Sequence, residues 1–367
     1  MAKTPSETKC PVVVTEDVFG EENPILAKTL KALAGEGSRV ALVADSNVVQ
    51  RTEGLGSRIG RYFQKHGIVL AASPVVLAGG EKVKADNFQS AARIANALVD
   101  AKIGANDVVI ALGGGTIFDV AGYAAAQVRG GIRVLRMPTT VAAMLDAAFA
   151  DSAALDAPNV KDAFRIPAKA AAVVIDTTFA KTVLDGVWRG GFGEAVRFAA
   201  VSDSALMKRL AKRAEAVKAR DYGALKDTVE ECVASRQKKG GTDFAQWGAA
   251  RLEAMSGYKL PHGYAVAIAI CIECAYAVEK KLMKESDQEL VCRTLADCGA
   301  LDGLVHSHHL LAQPESVLNG LNALALTLGS ARYTVPGGLG KPVEVTDPDR
   351  EAYAKVMKDF LSVAQER

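Results

Sequence analysis

The stretch DVVIALGGGTIFDVAGYAAA, residues 107–126, decides the fold of the first half of this chain. Its apolar run Val108–Leu112 predicts a buried strand of a parallel sheet, and Gly113, Gly114 and Gly115 follow that strand directly. A helical segment comes next. Glycine lets the backbone approach a ligand closely and the first turn of a helix offers free N–H groups, so this turn predicts a phosphate-binding site. Its spacing differs from G-x-G-x-x-G, so the turn alone leaves the nucleotide open.

The segments around this turn alternate between strand and helix. Helices are predicted over 49–66 and 86–102, and further strands over 40–44, 68–70, 134–137 and 172–175. This alternation predicts a parallel, Rossmann-like sheet with helices on both faces. From about Thr182 to Leu361 the spacing is helical, except for a Gly/Pro-rich loop or hairpin at Thr334–Val345. We therefore expect an α/β domain over residues 1–180 and an all-α domain over 181–367.

The composition is that of a soluble globular protein. Hydrophobic residues make up 49% and charged residues 23% of the 367 positions, and the net charge of +2 does not favour a nucleic-acid partner. The first residues contain no long apolar core, and no uncharged run approaches membrane-helix length, so we expect a cytoplasmic protein without a membrane partner. Cys271 and Cys274 form a C-x-x-C pair in an apolar stretch, which favours buried thiols over a redox or zinc pair.

Five motifs occur in a fixed order along the chain: GGGTIFDVAGYAAA (113–126), MPTTVAAMLD (137–146), VID (174–176), GFGEAVR (191–197) and PHGYAVAI (261–268). Together they resemble the 3-dehydroquinate synthase family of sugar-phosphate cyclases, over residues 35 to 280. A more distant similarity links them to the iron-dependent alcohol and polyol dehydrogenases. The resemblance implies a two-domain homodimer with a tightly bound NAD and one divalent metal ion, zinc or cobalt. It also implies a carbon–oxygen lyase, in which NAD is reduced and reoxidised within one turnover while phosphate is eliminated.

The resemblance assigns the cofactor residues to the first domain. Two of these assignments have plainer interpretations, because Glu81 and Lys84 could form a solvated helix face, and Thr139 with Thr140 could be a turn after Pro138. Their joint occurrence favours the cofactor. The implied NAD-binding residues are Asp45, Asn47, Glu81, Lys84, Gly114, Gly115, Thr116, Asp119, Thr139, Thr140, Asp146, Lys161 and Thr182.

The metal site that the resemblance implies, a glutamate and two histidines in the helical domain, is only partly present. Glu194 and His262 stand in matching motifs, but Gln246 replaces one histidine, and Ala250 stands where the pattern has a further one. An amide oxygen is a much weaker zinc donor than imidazole. Glu194, Gln246 and His262 are therefore the candidate metal ligands, and metal binding stays open.

The substrate side departs further from the pattern. The implied catalytic residues are Asp146, Lys161, Arg197 and Arg236, and Arg197 stands in place of a lysine. Three other family positions change as well: an arginine is Gly130, a lysine is Ser152 and an asparagine is Asp162. Because a buried anion needs paired cations, these changes predict a less anionic substrate.

The leading hypothesis is an NAD-dependent sugar-phosphate cyclase-like lyase with an altered substrate, a small sugar phosphate or polyol. Two alternatives remain: an NAD-dependent polyol dehydrogenase, and a catalytically inactive homologue that only binds the cofactor.

Overall fold

The computed structural model describes residues 10–37, 39–158, 160–329 and 332–365. The chain divides into two units, Met1–Val183 and Leu184–Arg367. The strands of the first unit are β1 (Val12–Thr15), β2 (Arg39–Asp45), β3 (Val69–Leu70), β4 (Val75–Leu77), β5 (Val108–Gly113), β6 (Arg133–Pro138), β7 (Ser152–Ala157), β8 (Val160–Pro167) and β9 (Ala172–Asp176). Its helices are α1 (Ile25–Ala34), α2 (Ser46–Arg51), α3 (Leu55–Lys65), α4 (Gln89–Asp100), α5 (Gly115–Gln127) and α6 (Val141–Leu145).

The main sheet of the first unit is parallel, as the sequence predicts. In the described part of the chain it has seven strands in the order β1-β9-β6-β5-β2-β3, and β4 also pairs with β2. Strand β5 is buried along its whole length because it lies between two neighbours and its side chains are apolar on both faces. The strands that follow β2 in sequence, β3 and β4, lie on one side of it in the sheet, whereas those that follow β5, β6 and then β9, lie on the other side. The carboxyl ends of β2 and β5 therefore mark the point where strand order reverses, which is where α/β sheets bind ligands.

Two segments of the first unit differ from the sequence expectation. The prediction of a single helix over 49–66 is wrong, because this segment contains two helices, α2 and α3. They are separated at Gly54, which has a φ of 63°. The antiparallel hairpin of β7 and β8 has no counterpart in the sequence prediction. It lies against α5, where a Cβ added at Gly122 would be 3.2 Å from the Cβ of Ala153. Such pairing depends on tertiary packing, which the weak alternation of these strands does not reveal.

The second unit is helical, with one hairpin at the place where a loop or hairpin is predicted. Its helices are α7 (Asp185–Ser202), α8 (Ser204–Lys218), α9 (Tyr222–Lys239), α10 (Gln246–Met255), α11 (His262–Glu279), α12 (Glu285–Asp297), α13 (Leu304–Leu311), α14 (Pro314–Leu328) and α15 (Arg350–Gln365). Strands β10 (Tyr333–Pro336) and β11 (Pro342–Val345) form the antiparallel hairpin. The predicted fold class, a parallel α/β domain followed by a helical domain, is confirmed.

Helix α11 is the core helix of the second unit. It is long and apolar enough to cross a membrane, but 67% of it is buried inside the protein. A helix that is apolar all round is typical of a protein core when most of it is buried, as here. Cys271 and Cys274 lie on it as free, buried thiols, as predicted.

Candidate functional site

The glycine turn at the end of β5 is shaped by close backbone packing. Gly114 is the N-cap of α5, and the N–H of Thr139 donates a hydrogen bond to the carbonyl of Gly113 at 3.0 Å. A Cβ at Gly113 would lie 2.6 Å from Ile117, and one at Gly115 would lie 3.0 Å from the Cβ of Ala147. Side chains at Gly113 and Gly115 would therefore crowd their neighbours, and the turn presents backbone at the N-terminus of a thirteen-residue helix. This arrangement fits the pyrophosphate of a dinucleotide.

Thr140 lies beside this turn. It is the N-cap of α6, where its Oγ1 accepts a hydrogen bond from the N–H of Ala143 at 3.3 Å. A Cβ added at Gly114 would be 3.4 Å from its methyl group. Strand β6 ends in register with β5, which pairs Gly113 with Pro138. The structure thus brings Thr139 and Thr140 to the glycine turn.

Asp45 and Asn47 form a second small cluster at the end of β2. One oxygen of Asp45, Oδ1, accepts hydrogen bonds from the N–H and the side-chain amide of Asn47, at 2.8 and 3.1 Å. A Cβ at Gly79 would lie 2.5 Å from both side chains, so a larger residue there would displace them. Because β2 pairs with both β4 and β5, this cluster lies at the same edge of the sheet as the glycine turn.

The remaining predicted cofactor residues of this unit lie in short turns and on the hairpin. Thr116 is in the first turn of α5, and Asp146 ends α6. Thr182 closes a 3₁₀ turn, in which its hydroxyl donates to the carbonyl of Phe179 at 2.9 Å. Lys161, on β8, lies 3.9 Å from the carboxylate of Glu81. Their contact with a cofactor remains a prediction.

Lys84 lies inside a cage of carboxylates. Its Nζ is 2.6 Å from Asp162, 2.8 Å from Asp119 and 3.7 Å from Asp156, and its side chain is 4% exposed. Burial disfavours the ammonium form, but Asp119, Asp162 and Asp156 outweigh it and raise the pKa of Lys84. Two predicted cofactor residues, Lys84 and Asp119, are therefore bound to each other and join α5 to the hairpin.

Arg165 is a candidate that the sequence did not reveal. It lies opposite Ala154 in the hairpin, where its guanidinium donates to the hydroxyl of Ser152 and to the carboxylate of Asp162, each at 2.7 Å. Position 152 is where the family pattern has a lysine. The structure places a cation from the neighbouring strand there, and no sequence signal marks it because the pairing follows from the hairpin register.

Four residues of the second unit form what we call the polar centre: Glu194, Arg197, Glu253 and His262. Glu194 and Arg197 are one turn apart on α7, and the Nε of Arg197 donates to Glu194 Oε2 at 2.6 Å. His262, the first residue of α11, lies with Nε2 2.9 Å from Glu194 Oε1 and Nδ1 2.7 Å from Glu253 Oε1. Sequence analysis missed Glu253, which is buried on α10 without a motif around it.

The charges of the polar centre stabilise one another. Burial disfavours ionised Glu194, but Arg197 and His262 outweigh it and lower the pKa of Glu194 to about 2. The side chain of His262 is 45% exposed, so desolvation opposes its charged form only in part, and Glu253 and Glu194 raise the pKa of His262 to about 10. The centre therefore balances its carboxylates with its own cations.

The donor set of this centre does not complete the three-ligand metal site that the sequence resemblance implies. Gln246 begins α10 and is exposed, after Ala245 in the left-handed conformation with a φ of 61°. No group of three or more His, Cys, Asp or Glu side chains suited to a metal occurs among the residues that the structure describes. Only Glu194 and His262 of the predicted ligands converge.

The two arginines predicted to be catalytic, Arg197 and Arg236, have partners within this unit. The Nη1 of Arg197 donates to the carbonyls of Thr242 and Phe244, at 2.9 and 3.1 Å. Arg236, in the last turn of α9, stacks its guanidinium over the ring of Phe198 at 5.5 Å. Arg197 is thus an internal ion-pair residue of the unit.

The fold and the turn together define an α/β protein of the dinucleotide-binding type with a helical second unit. Two models of the 3-dehydroquinate synthase family match the chain: the N-terminal model over residues 74–189 and the C-terminal model over 191–310. The chain belongs to the 3-dehydroquinate synthase family. The predicted class, a sugar-phosphate cyclase-like carbon–oxygen lyase, is confirmed at the level of this family.

Individual relatives agree with this placement. A 3-dehydroquinate synthase of Rhodopseudomonas palustris (strain TIE-1) is 27% identical, and the match covers 92% of each chain. The 2-epi-5-epi-valiolone synthase of Streptomyces hygroscopicus, with NAD⁺ and Zn²⁺ bound, superposes with a TM-score of 0.84 at 22% identity, over 100% of both chains. A 2-deoxy-scyllo-inosose synthase complexed with carbaglucose-6-phosphate, NAD⁺ and Co²⁺ has a TM-score of 0.78 at 19% identity, over 95% of this chain and 96% of that one. At these identities, the two structures establish the shared fold.

Proposed function

We propose that this protein is an NAD-dependent sugar-phosphate cyclase-like lyase whose substrate is less anionic than that of a 3-dehydroquinate synthase. One observation carries the proposal. The dinucleotide-type turn at Gly113–Gly115 is intact and packed without side chains, while the cations at the substrate positions are rearranged.

The cofactor part of the proposal relies on backbone groups and short polar side chains. The N-terminus of α5 would bind the pyrophosphate, Asp45 and Asn47 would contact the cofactor at the end of β2, and Thr139 and Thr140 would lie near the nicotinamide ribose. When bound, NAD supplies a reversible hydride transfer, which acidifies the C–H next to the oxidised carbon so that phosphate can leave. The NAD⁺ in both related structures supports this assignment.

The substrate part follows from where the cations lie. Lys161 and Arg165, both on β8, are the basic side chains of the hairpin that we assign to an anionic group such as a phosphate. Asp162 accepts a hydrogen bond from Arg165, and Glu81 lies 3.9 Å from Lys161, so part of their charge is already neutralised. Arg197 already donates hydrogen bonds to Glu194 and to two backbone carbonyls. One anionic group is therefore matched better than a phosphate and a carboxylate together.

The sugar-phosphate ligand of the inosose synthase structure supports a phosphorylated substrate here. We also propose that the protein is a homodimer, as the family resemblance implies, and that it is cytoplasmic. Light scattering coupled to size exclusion tests the dimer, since a monomeric mass at working concentration contradicts it.

The reaction is tested with the purified full chain and three substrates: a heptulose phosphate that carries a carboxylate, one that does not, and glucose 6-phosphate. We expect phosphate release from one of the substrates without a carboxylate, with no net NADH by absorbance. Gly114→Asp is the inactive control, because a carboxylate at the helix N-terminus repels the pyrophosphate.

The other outcomes separate the alternatives. Stoichiometric NADH with product indicates a polyol dehydrogenase. Preference for the carboxylated heptulose phosphate contradicts the altered substrate. Bound NAD without turnover of any substrate indicates the inactive homologue.

A further inference from the structure

We infer that the guanidinium of Arg197 takes the place of a divalent metal ion beside Glu194, so that the polar centre balances its charge without a metal. This inference deepens the proposed function and rests on its assignment of the site. It concerns metal occupancy alone, so it can be tested whether or not turnover is found.

Both oxygens of the Glu194 carboxylate already have partners. Oε2 accepts the hydrogen bond from the Nε of Arg197 at 2.6 Å, and Oε1 lies 2.9 Å from the Nε2 of His262. The side chains of Glu194 and Arg197 are only 2% and 1% exposed. A metal ion that bound Glu194 would have to displace a charge-assisted hydrogen bond between two buried side chains.

Arg197 is held in this position from its other side. Its Nη1 donates to the carbonyls of Thr242 and Phe244 in the segment before α10. The planar guanidinium therefore bridges α7 and this segment, and it cannot turn away without leaving two carbonyls unsatisfied. A divalent ion on Glu194 would lie next to a fixed positive charge, and like charges a few Å apart repel strongly in a poorly solvated site.

The remaining donors do not offset this repulsion. Gln246 provides an amide in place of an imidazole, its side chain is exposed, and Ala250 provides no donor. Glu253 lies on the Nδ1 side of His262 and fixes the ring toward Glu194, so we assign it as a positioning residue. Two conventional ligands and an adjacent guanidinium are a poor match for tetrahedral zinc, which takes at least three protein ligands.

The experiment measures metal retention by the full-length protein. The wild type is equilibrated with Zn²⁺ or Co²⁺, desalted and assayed by mass spectrometry for metal per chain and by visible absorption for Co²⁺. We expect far less than one ion per chain and no absorption of bound Co²⁺. One Zn²⁺ or Co²⁺ retained per chain, and lost in Glu194→Gln, overturns the inference.

A double variant tests the cause. Arg197→Lys with Gln246→His removes the guanidinium and restores an imidazole, so we expect Co²⁺ absorption and a Kd roughly 10- to 100-fold lower than that of the wild type. The matched control, Arg197→Lys with Gln237→His, adds a histidine at an exposed position on α9 and is expected to gain nothing. Circular dichroism verifies that each variant is folded.

The single variant Gln246→His keeps Arg197 and so separates the two changes. We expect it to remain without metal. Tight binding by this variant, or no gain in the folded double variant, contradicts the role that we assign to Arg197.

Discussion

The two units carry sites of different kinds. The site in the first unit is built from backbone: a glycine turn, helix N-termini and short side chains at the carboxyl edge of a sheet. The polar centre of the second unit depends on the identity of a few long side chains on different helices. A site built from backbone groups is recognisable from a short sequence, whereas a site built from long side chains changes its ligand preference when one or two residues change.

The largest expected effect is in the first unit, at the carboxylate cage of Lys84. Lys84→Met leaves Asp119, Asp156 and Asp162 close together without their central cation. Breaking a buried ionic group in this way costs about 3–5 kcal/mol of unfolding free energy, measured by urea denaturation. Lys82→Met, an exposed lysine in the same turn, is the control and is expected to change little. Equal effects of the two variants contradict the structural role of Lys84.

The matching prediction in the second unit concerns Arg197. Arg197→Met removes the cation that contacts Oε2 of buried Glu194 and is expected to cost about 3 kcal/mol, since that oxygen loses its charge-assisted hydrogen bond while His262 contacts only Oε1. Arg209→Met removes an exposed ion pair with Glu231 and should cost about 0–1 kcal/mol. Thermal unfolding of both variants checks this. If Arg197→Met is as mild as the control, the polar centre tolerates its loss and the ion pair is not structural.

The third prediction tests whether the first site is really built from backbone. Gly114→Asp should weaken NAD binding about 100-fold, or about 2.7 kcal/mol, by titration calorimetry. Gly114→Ala is the control, because Gly114 has an ordinary φ of −83° and its added Cβ would meet Thr140 at a normal contact distance. A similar loss of NAD affinity in both variants would show that the added side-chain volume, rather than the added charge, weakens binding.

The smallest effect concerns Glu273, a buried carboxyl on α11 whose Oε2 accepts from the N–H of Ala245 at 3.2 Å. Burial raises the pKa of Glu273 well above its usual value. The folded state therefore keeps a proton that the unfolded state loses above about pH 4.3, so this group lowers stability as pH rises. Glu273→Gln removes that penalty and should raise the Tm by a few degrees at pH 8 and less at pH 5. The exposed control Glu289→Gln should show no such trend; a Tm gain at pH 5 as large as at pH 8 contradicts the buried-proton explanation.

The sequence by itself determined the features that depend on local chemistry. Residues 107–126 contain the apolar run of β5, the glycines after it and the start of α5 without interruption. The phosphate turn can therefore be predicted from this segment alone. The alternation of strands and helices, the helical second half and the hairpin at its end follow from spacing and turn residues in the same way. Glu194 and His262 were found because each lies in a motif.

Which charged side chains lie in contact depends on the tertiary structure. Lys84 contacts Asp162, which is 78 residues further along the chain. Arg165 contacts Ser152 because the register of the hairpin brings them together. His262 contacts Glu194, 68 residues earlier in the chain. A pattern in one sequence cannot reveal these pairs, because they depend on which helices and strands pack together and on which side-chain atoms satisfy one another when buried. For that reason the sequence marks the glycine turn directly, while the buried pair of Glu194 and Arg197 became visible only in the fold.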